Sequence, residues 1–320
     1  MDFQEFKENL QKTPVQEVAF HSPKNPVVSV LVQTYQQQDF IRECLDSILM
    51  QETTFDFEIL IGEDGSMDGT REICVEYTEK YPEKIRLFLH HRENQIKILG
   101  ESTSNFNAFY NFYSARGTYI AFCEGDDLWG DPLKLEKQVA FLKNQPNYVF
   151  AYHSFRTINE KGSSIESVEE LFQPKWDISQ QDLLKGKYHP LIFTLCFRNV
   201  FSEIPEEMPK VLNVDTFLLS YLGKFGEGKF LPGINPGFYR KHSGGMWSQR
   251  QKEKKFLSKV NTFKNLRNYY KKEPNKEIIN FYTQQIINTS KMLIWFYLKS
   301  GEIKKSWVTF LASKRVAFLF

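Results

Sequence analysis

No strong charge of one sign runs through this chain of 320 residues: 41 Lys and Arg stand against 39 Asp and Glu, a formal net charge of +2. A balance so near zero leaves no electrostatic footprint for nucleic acid, whose phosphates select clustered cations. Cysteine is scarce. The four present, Cys44, Cys74, Cys123 and Cys196, lie far apart and form no Cys-x-x-Cys pair. That argues against a structural zinc site and against a disulfide framework, and it suits a reducing compartment. Long apolar runs are missing as well. The best candidate, Met292–Leu298, falls far short of the roughly 18 residues a spanning helix needs. The N-terminal MDFQEFKENLQK is acidic and polar, unlike a signal peptide. The expected location is therefore cytoplasmic. No internal repeat is present.

What the chain does have is aromatic residues, 15% of the total and spread along its length, so most must be core. Its size holds one large α/β domain with an appendage, or two modest domains. After a polar lead-in closed by Ser22–Pro26, Val27–Val32 is β-branched and apolar, as in a central strand covered on both faces. The spacing of Ile41, Leu45, Ile48 and Leu49 predicts a helix, with Asp39 as its N-cap. Strands follow at Phe57–Gly62 and Ile85–His90, with a helix from about Thr70 to Tyr81 between them. Asn94–Ser104 lacks periodicity and reads as a loop, and Asn105–Arg116 as a helix stopped by Gly117. This alternation predicts a doubly wound, mostly parallel sheet, whose ligands bind beyond the carboxyl ends of the strands. Beyond Val149 the alternation weakens: strands are expected at Val149–Phe155, Pro190–Arg198 and Phe230–Tyr239, a loop at Ser163–Gln173 and a helix at Asp215–Leu222.

One stretch stands out. The apolar run Tyr119–Cys123 turns abruptly into Glu124-Gly125-Asp126-Asp127, three carboxylates within four residues. Like charges this close raise one another's pKa or require a cation between them. Two readings are open: a carboxylate tip for a hard divalent ion, which takes oxygen ligands, or a solvated acidic turn in which Asp126 or Asp127 caps the helix that Pro132–Leu135 begins.

Four segments in order resemble glycosyltransferase family 2, the inverting enzymes of the GT-A fold. They are Val28–Tyr35, Phe57–Thr70 (with Glu63-Asp64-Gly65-Ser66), Glu124–Asp127, and Tyr239–Ser248 (with His242-Ser243-Gly244-Gly245). The resemblance implies a GT-A, Rossmann-like α/β domain over 26–248, preceded by a lead-in (1–25) and followed by a C-terminal helical extension (249–320). It implies that Asp64 binds the nucleotide base, accepting a uracil imide N–H, with Tyr35 stacked on the base and Thr34 offering a polar contact. In the family's acidic motif, usually Asp-x-Asp, the first position here is Glu124, a longer arm. Asp126 is expected to face ribose and metal, Asp127 to ligate Mn²⁺ or Mg²⁺, and His242 to approach the metal or diphosphate. The general base that an inverting transfer needs matches Asp215, which would alternatively be a helix N-cap. His189 and Thr194 are expected on the acceptor side.

The implied activity is metal-dependent transfer from a nucleotide-sugar, expected to be a UDP-sugar, to a saccharide or lipid-linked hydroxyl. The Gln-x-x-Arg-Trp motif of processive synthases is absent, which favours single additions. Two other readings compete. A sugar-phosphate nucleotidyltransferase would carry a glycine-rich phosphate loop after the first strand, where this chain has Gln33-Thr34-Tyr35-Gln36-Gln37. A non-catalytic carbohydrate- or partner-binding protein would use the same scaffold without turnover. At the end of the chain, Ile278–Leu298 and Ile303–Phe320 read as amphipathic helices broken at Ser300-Gly301. They either pack on the catalytic domain or lie on a membrane surface.

Overall fold

The computed structural model describes residues 1–19, 23–244, 251–273 and 275–317. The polar lead-in holds structure of its own. Phe3–Leu10 is a helix (α1) opened by a capping box, in which Asp2 accepts the Glu5 N–H and Glu5 accepts that of Asp2. Gln16–Ala19 is a strand (β1). Strand and helix then alternate: β2 (Val28–Thr34), α2 (Ile41–Leu49), β3 (Phe57–Glu63), α3 (Thr70–Lys80) and β4 (Ile85–Leu89). A small hairpin follows, β5 (Ile96–Ile98) and β6 (Glu101–Thr103), where a loop is expected from the sequence; then come α4 (Asn105–Ser114), β7 (Tyr119–Phe122) and α5 (Lys134–Asn144). The second half contains β8 (Tyr148–Tyr152), β9 (Phe155–Asn159), the short helices α6 (Val168–Leu171) and α7 (Gln180–Leu184), β10 (Cys196–Arg198), α8 (Val214–Leu222), β11 (Glu227–Phe230) and β12 (Gly237–Lys241). Three long helices close it, α9 (Lys252–Lys272), α10 (Lys276–Lys299) and α11 (Ile303–Ala317).

Eight strands form one sheet in the order β1-β4-β3-β2-β7-β10-β8-β11. β4, β3, β2 and β7 run parallel, as the βα alternation predicts, and β8 pairs parallel with β11. β1 and β10 are antiparallel insertions. Period-two alternation on β2 splits the core into two layers: Leu31 packs on one face with Leu60, Phe106 and Phe122, while Val28, Val30 and Val32 pack on the other with Ile59, Ile61 and Leu45. Of the expected Pro190–Arg198 strand only Cys196–Arg198 pairs, because Ile192–Thr194 turns as a short 3₁₀ segment. The expected Phe230–Tyr239 strand is two strands, with Pro232 to Pro236 between β11 and β12 outside both.

The first helix and the α9–α10 pair join the same core. Phe6 is fully buried and stacks on Phe106 with centroids 5.1 Å apart. Tyr270 and Tyr282, from α9 and α10, are buried in that layer too, and the Tyr282 hydroxyl donates to Leu184 O at 2.8 Å. Among the described residues no helix is long and apolar enough to cross a membrane.

Candidate functional site

The parallel strands β2, β3 and β7 deliver their C-terminal loops to one rim. Asp64 N–H donates to Thr34 O (3.1 Å) and Gly125 N–H to Gln33 O (3.0 Å), so backbone bonds lace all three loops together. Gly125 must be small: a Cβ there would lie 2.4 Å from Gln37 Oε1 and 2.9 Å from Thr34. Thr34 itself is buried, and its hydroxyl donates to Gln37 Oε1 at 2.8 Å. It serves the loop, and the expected polar contact outward is not what its surroundings favour.

Asp64 sits nearly buried at the end of β3, where its Oδ2 accepts from Arg92 Nη1 and Gln95 Nε2, both at 3.0 Å. Burial raises its carboxyl above the ordinary value, against the lowering effect of those two donors. Tyr35 projects from the β2 loop and is 39% exposed, with the Arg92 guanidinium 3.7 Å from its ring centroid. A cation on a tyrosine face is a favourable pair. Arg92 thus connects the two predicted base-binding residues, and neither Arg92 nor Gln95 was visible in the sequence, since they come from a segment without motif or period. The β2 and β3 loops also interlock: Gln36, held at φ 51, accepts from Met67 N–H and donates its own N–H to Ser66 Oγ.

The acidic turn begins where β7 ends. Asp126 and Asp127 do not cap the following helix. α5 starts at Lys134, and Asp131 accepts the Leu133 N–H just before it (2.8 Å). Asp127 is 1% exposed, and its Oδ1 accepts the backbone N–H of Arg240 at 2.9 Å. Burial, then the charges of Asp126 and Glu124, push its carboxyl well up. Glu124 is pushed up to about 8, by burial first and then by Asp126 and Asp215. Arg240 binds the turn from β12: Nε donates to Asp126 O (3.1 Å), Nη1 to Glu160 O (3.3 Å), and Nη2 pairs with Glu43. Asp126 faces the other way, its Oδ2 lying 2.9 Å from His242 Nε2, and the His242 ring packs on Phe40. Of the predicted fourth segment, Gly245–Ser248 lies outside the described residues.

Asp215 opens α8 but is not its cap. Asn213 holds that position, and Asp215 stands two residues inside, accepting the Thr216 N–H at 2.7 Å. An anion in a first helical turn is favoured by the unpaired N–H groups there. Its influence on Glu124 puts it electrostatically in the acidic turn's neighbourhood. The expected Asp39 cap is likewise absent, Phe40 taking that position on α2. Thr194 is buried, its hydroxyl donating to Leu191 O, whereas His189 is exposed.

A mostly parallel sheet with a carboxylate after β3, an acidic turn after β7 and a carboxylate in the first turn of α8 is the architecture of a GT-A glycosyltransferase. The sequence agrees: the model of Glycosyl transferase family 2 matches residues 29–204, more than half of the chain, and the chain belongs to that family. Among its relatives is the "Uncharacterized protein Rv1520" of Mycobacterium tuberculosis, 34% identical over 221 residues, 69% of this chain and 60% of that protein. An "Uncharacterized glycosyltransferase" of Rickettsia felis is 33% identical over 192 residues, 59% of this chain and 26% of that one. The matches thus span about 60% or less of the length of these relatives. In structure the chain is similar to S. aureus TarS 1-349, crystallised in complex with UDP-GlcNAc: TM-score 0.52, 14% identity, 90% of this chain and 91% of that one.

Proposed function

We propose that this glycosyltransferase moves a sugar from a nucleoside diphosphate donor, a UDP-sugar, to an acceptor hydroxyl with inversion and with the help of a divalent cation. The reading rests on the acidic turn standing where β2, β3 and β7 deliver their loops, with Asp215 in the first turn of α8 among the charges that raise Glu124. Asp64 accepts the imide N–H of the base and Tyr35 stacks on it, Arg92 moving off the ring as the base arrives. The UDP-GlcNAc bound by TarS in its crystal structure supports a uridine donor.

The residues present fit Mn²⁺ or Mg²⁺. Asp126 oxygen and His242 nitrogen face one another at 2.9 Å, with the half-buried Glu124 and the buried Asp127 in the same turn. Among the described residues no three His, Cys, Asp or Glu side chains already converge as a cage. That suits an ion held by one or two protein carboxylates and completed by substrate phosphates. Asp126 and His242 would hold it, and Asp127, engaged with β12, would set the angle of the turn. When bound, the ion neutralises charge on the departing diphosphate. Asp215 takes the acceptor hydroxyl's proton as that oxygen bonds to the anomeric carbon and the carbon–oxygen bond to the diphosphate breaks on the opposite face.

The test is Asp215→Asn, read together with UDP titrations of the wild type in Mn²⁺ and in EDTA. Donor affinity should survive the substitution while transfer falls by about 10²–10⁴-fold, the usual worth of a general base. UDP should bind more tightly with Mn²⁺ than with EDTA. Retained transfer rejects the base, metal-independent UDP binding rejects the ion, and tight binding without turnover in the wild type favours a non-catalytic binder.

A further inference from the structure

Helices α10 and α11 form a hairpin around Ser300-Gly301, with Gly301 at φ +74. Its near half is fixed to the catalytic domain through Ile278, Tyr282 and Ile286, all fully buried. The far half differs. Met292, Trp295, Leu298, Ile303, Trp307 and Val308 are between 54% and 71% exposed, an unusual density of large apolar side chains facing solvent.

These residues are arranged, not scattered. On α10, Leu293 and Tyr297 point inward. At 3.6 residues per turn, Lys291, Met292, Trp295, Leu298 and Lys299 share the opposite arc. Lys299 Nζ stands 3.7 Å from the Trp295 ring centroid. On α11, Ser306 is the buried position; Lys304 and Val308 fall on the far side with Trp307 flanking them, and Ile303 is exposed in the first turn. Charge is concentrated here as well. Residues 291–320 hold six Lys and Arg against the single Glu302, net +5, in a chain of net +2, so the remainder is net negative. Lys305 is engaged with Glu302 and Glu253, which leaves Lys291, Lys299 and Lys304 on the apolar arcs.

We infer that this hairpin face docks on a bilayer surface carrying anionic headgroups. Tryptophan and bulky aliphatics interleaved with lysine are the composition of helices that lie in the interface plane. Lysine attracts anionic lipid within a Debye length of the surface. A protein partner fits less well, because lysine is depleted from the cores of protein–protein interfaces. The far half also lies toward the donor side: Tyr297 hydroxyl donates to Glu253 (2.7 Å), and the neighbouring Lys254 pairs with Glu101 on β6, in the hairpin just beyond Gln95. Docking would therefore present the rim near the lipid headgroups.

The test uses the 320-residue chain in flotation with vesicles of phosphatidylcholine alone and of phosphatidylcholine with phosphatidylglycerol. Binding is expected only to the second kind, weakening as salt rises. The triple change Lys291→Gln, Lys299→Gln and Lys304→Gln should lower partitioning on the order of a hundredfold. Trp295→Ser with Trp307→Ser should also abolish it, with melting temperature and UDP affinity unchanged in both. Wild-type chain that stays unbound to anionic vesicles at low salt overturns the inference. So does vesicle binding that both variants retain, or concentration-dependent self-association lost in both variants without vesicle binding. Flotation needs no donor, so it fails or succeeds independently of the proposed transfer.

Discussion

Arg92 touches both residues that the sequence singled out for the nucleotide base, bonding Asp64 and covering the Tyr35 ring. It screens a nearly buried carboxylate and fills a ring face that would otherwise meet only water. A uracil that displaces it exchanges a cation–π contact for a stack, so the net gain from Tyr35 is smaller than that of a bare aromatic. Tyr35→Ala should weaken UDP binding toward the lower end of about 1–3 kcal/mol, measured by titration calorimetry. Unchanged affinity would leave Tyr35 as a platform for Arg92 alone. Asp64, Asp126, Asp127, Asp215 and His242 are candidates the sequence offers because each sits in a short segment following a strand or opening a helix, where local pattern carries information. Arg92 and Gln95 are not. Their partner Asp64 lies 28 and 31 residues away, and no periodicity links them to it. Arg240 lay inside a recognised segment, but its grip on the acidic turn depends on β12 lying beside residues 126–128, which is a tertiary fact.

At the level of elements, the parallel half of the sheet was readable, as were β8 and α8, while the bounds of β10 and β11 were not, for one reason. β2, β3 and β7 are buried on both faces and announce themselves as continuous apolar runs, each followed by a loop of distinct chemistry. β10 has three residues and β11 four, two of these Gly228 and Lys229, too little sequence for any period to register. The cap expected at Asp39, and the alternative cap reading of Asp215, show a related limit: an acidic residue near a helix start is favourable one or two places either side of the cap. The docking of α10 stayed one of two readings for another reason, since its buried face is aromatic and polar together. Tyr282 hydroxyl bonds Leu184 O and Ser220 Oγ, while Ser220 also reaches Leu184 O. Because Ser220 keeps that carbonyl paired, Tyr282→Phe should cost only about 1 kcal/mol, seen as a lower urea midpoint with unchanged slope. A loss several times larger would mean that α10 undocks.

For the whole molecule, acid is the expected weakness. His90 and His153 are 3% and 2% exposed, and burial pushes both down to about 3 from the ordinary 6.5. The unfolded chain binds a proton at each between those values and the folded chain does not. The contribution of these two rings is therefore whole above pH 6.5 and falls as pH drops toward 3, by up to about 1.4 kcal/mol per pH unit for each histidine, while the raised carboxyls of Glu124 and Asp127 act in the opposite sense. The histidine share is read by difference: from pH 7 to 4 the urea midpoint of His90→Gln should rise relative to wild type, by about half of this share. A difference that stays flat would mean that His90 takes up its proton in the folded chain as readily as in the unfolded one. The position of β10 has a further consequence, one of timing. Among the described strands it alone is bonded to β7 on that side, and it also bridges to β8, yet it is made after both. Trp129 Nε1 and Lys134 Nζ likewise reach across to Phe193 O and Leu195 O. On the ribosome, then, the segment with the acidic turn emerges with an open seam, its apolar strands Tyr119–Phe122 and Tyr148–Tyr152 unable to close until residue 198 has been translated. Nascent chains paused inside that window should be bound by chaperones, and release should coincide with synthesis of the inserted strand.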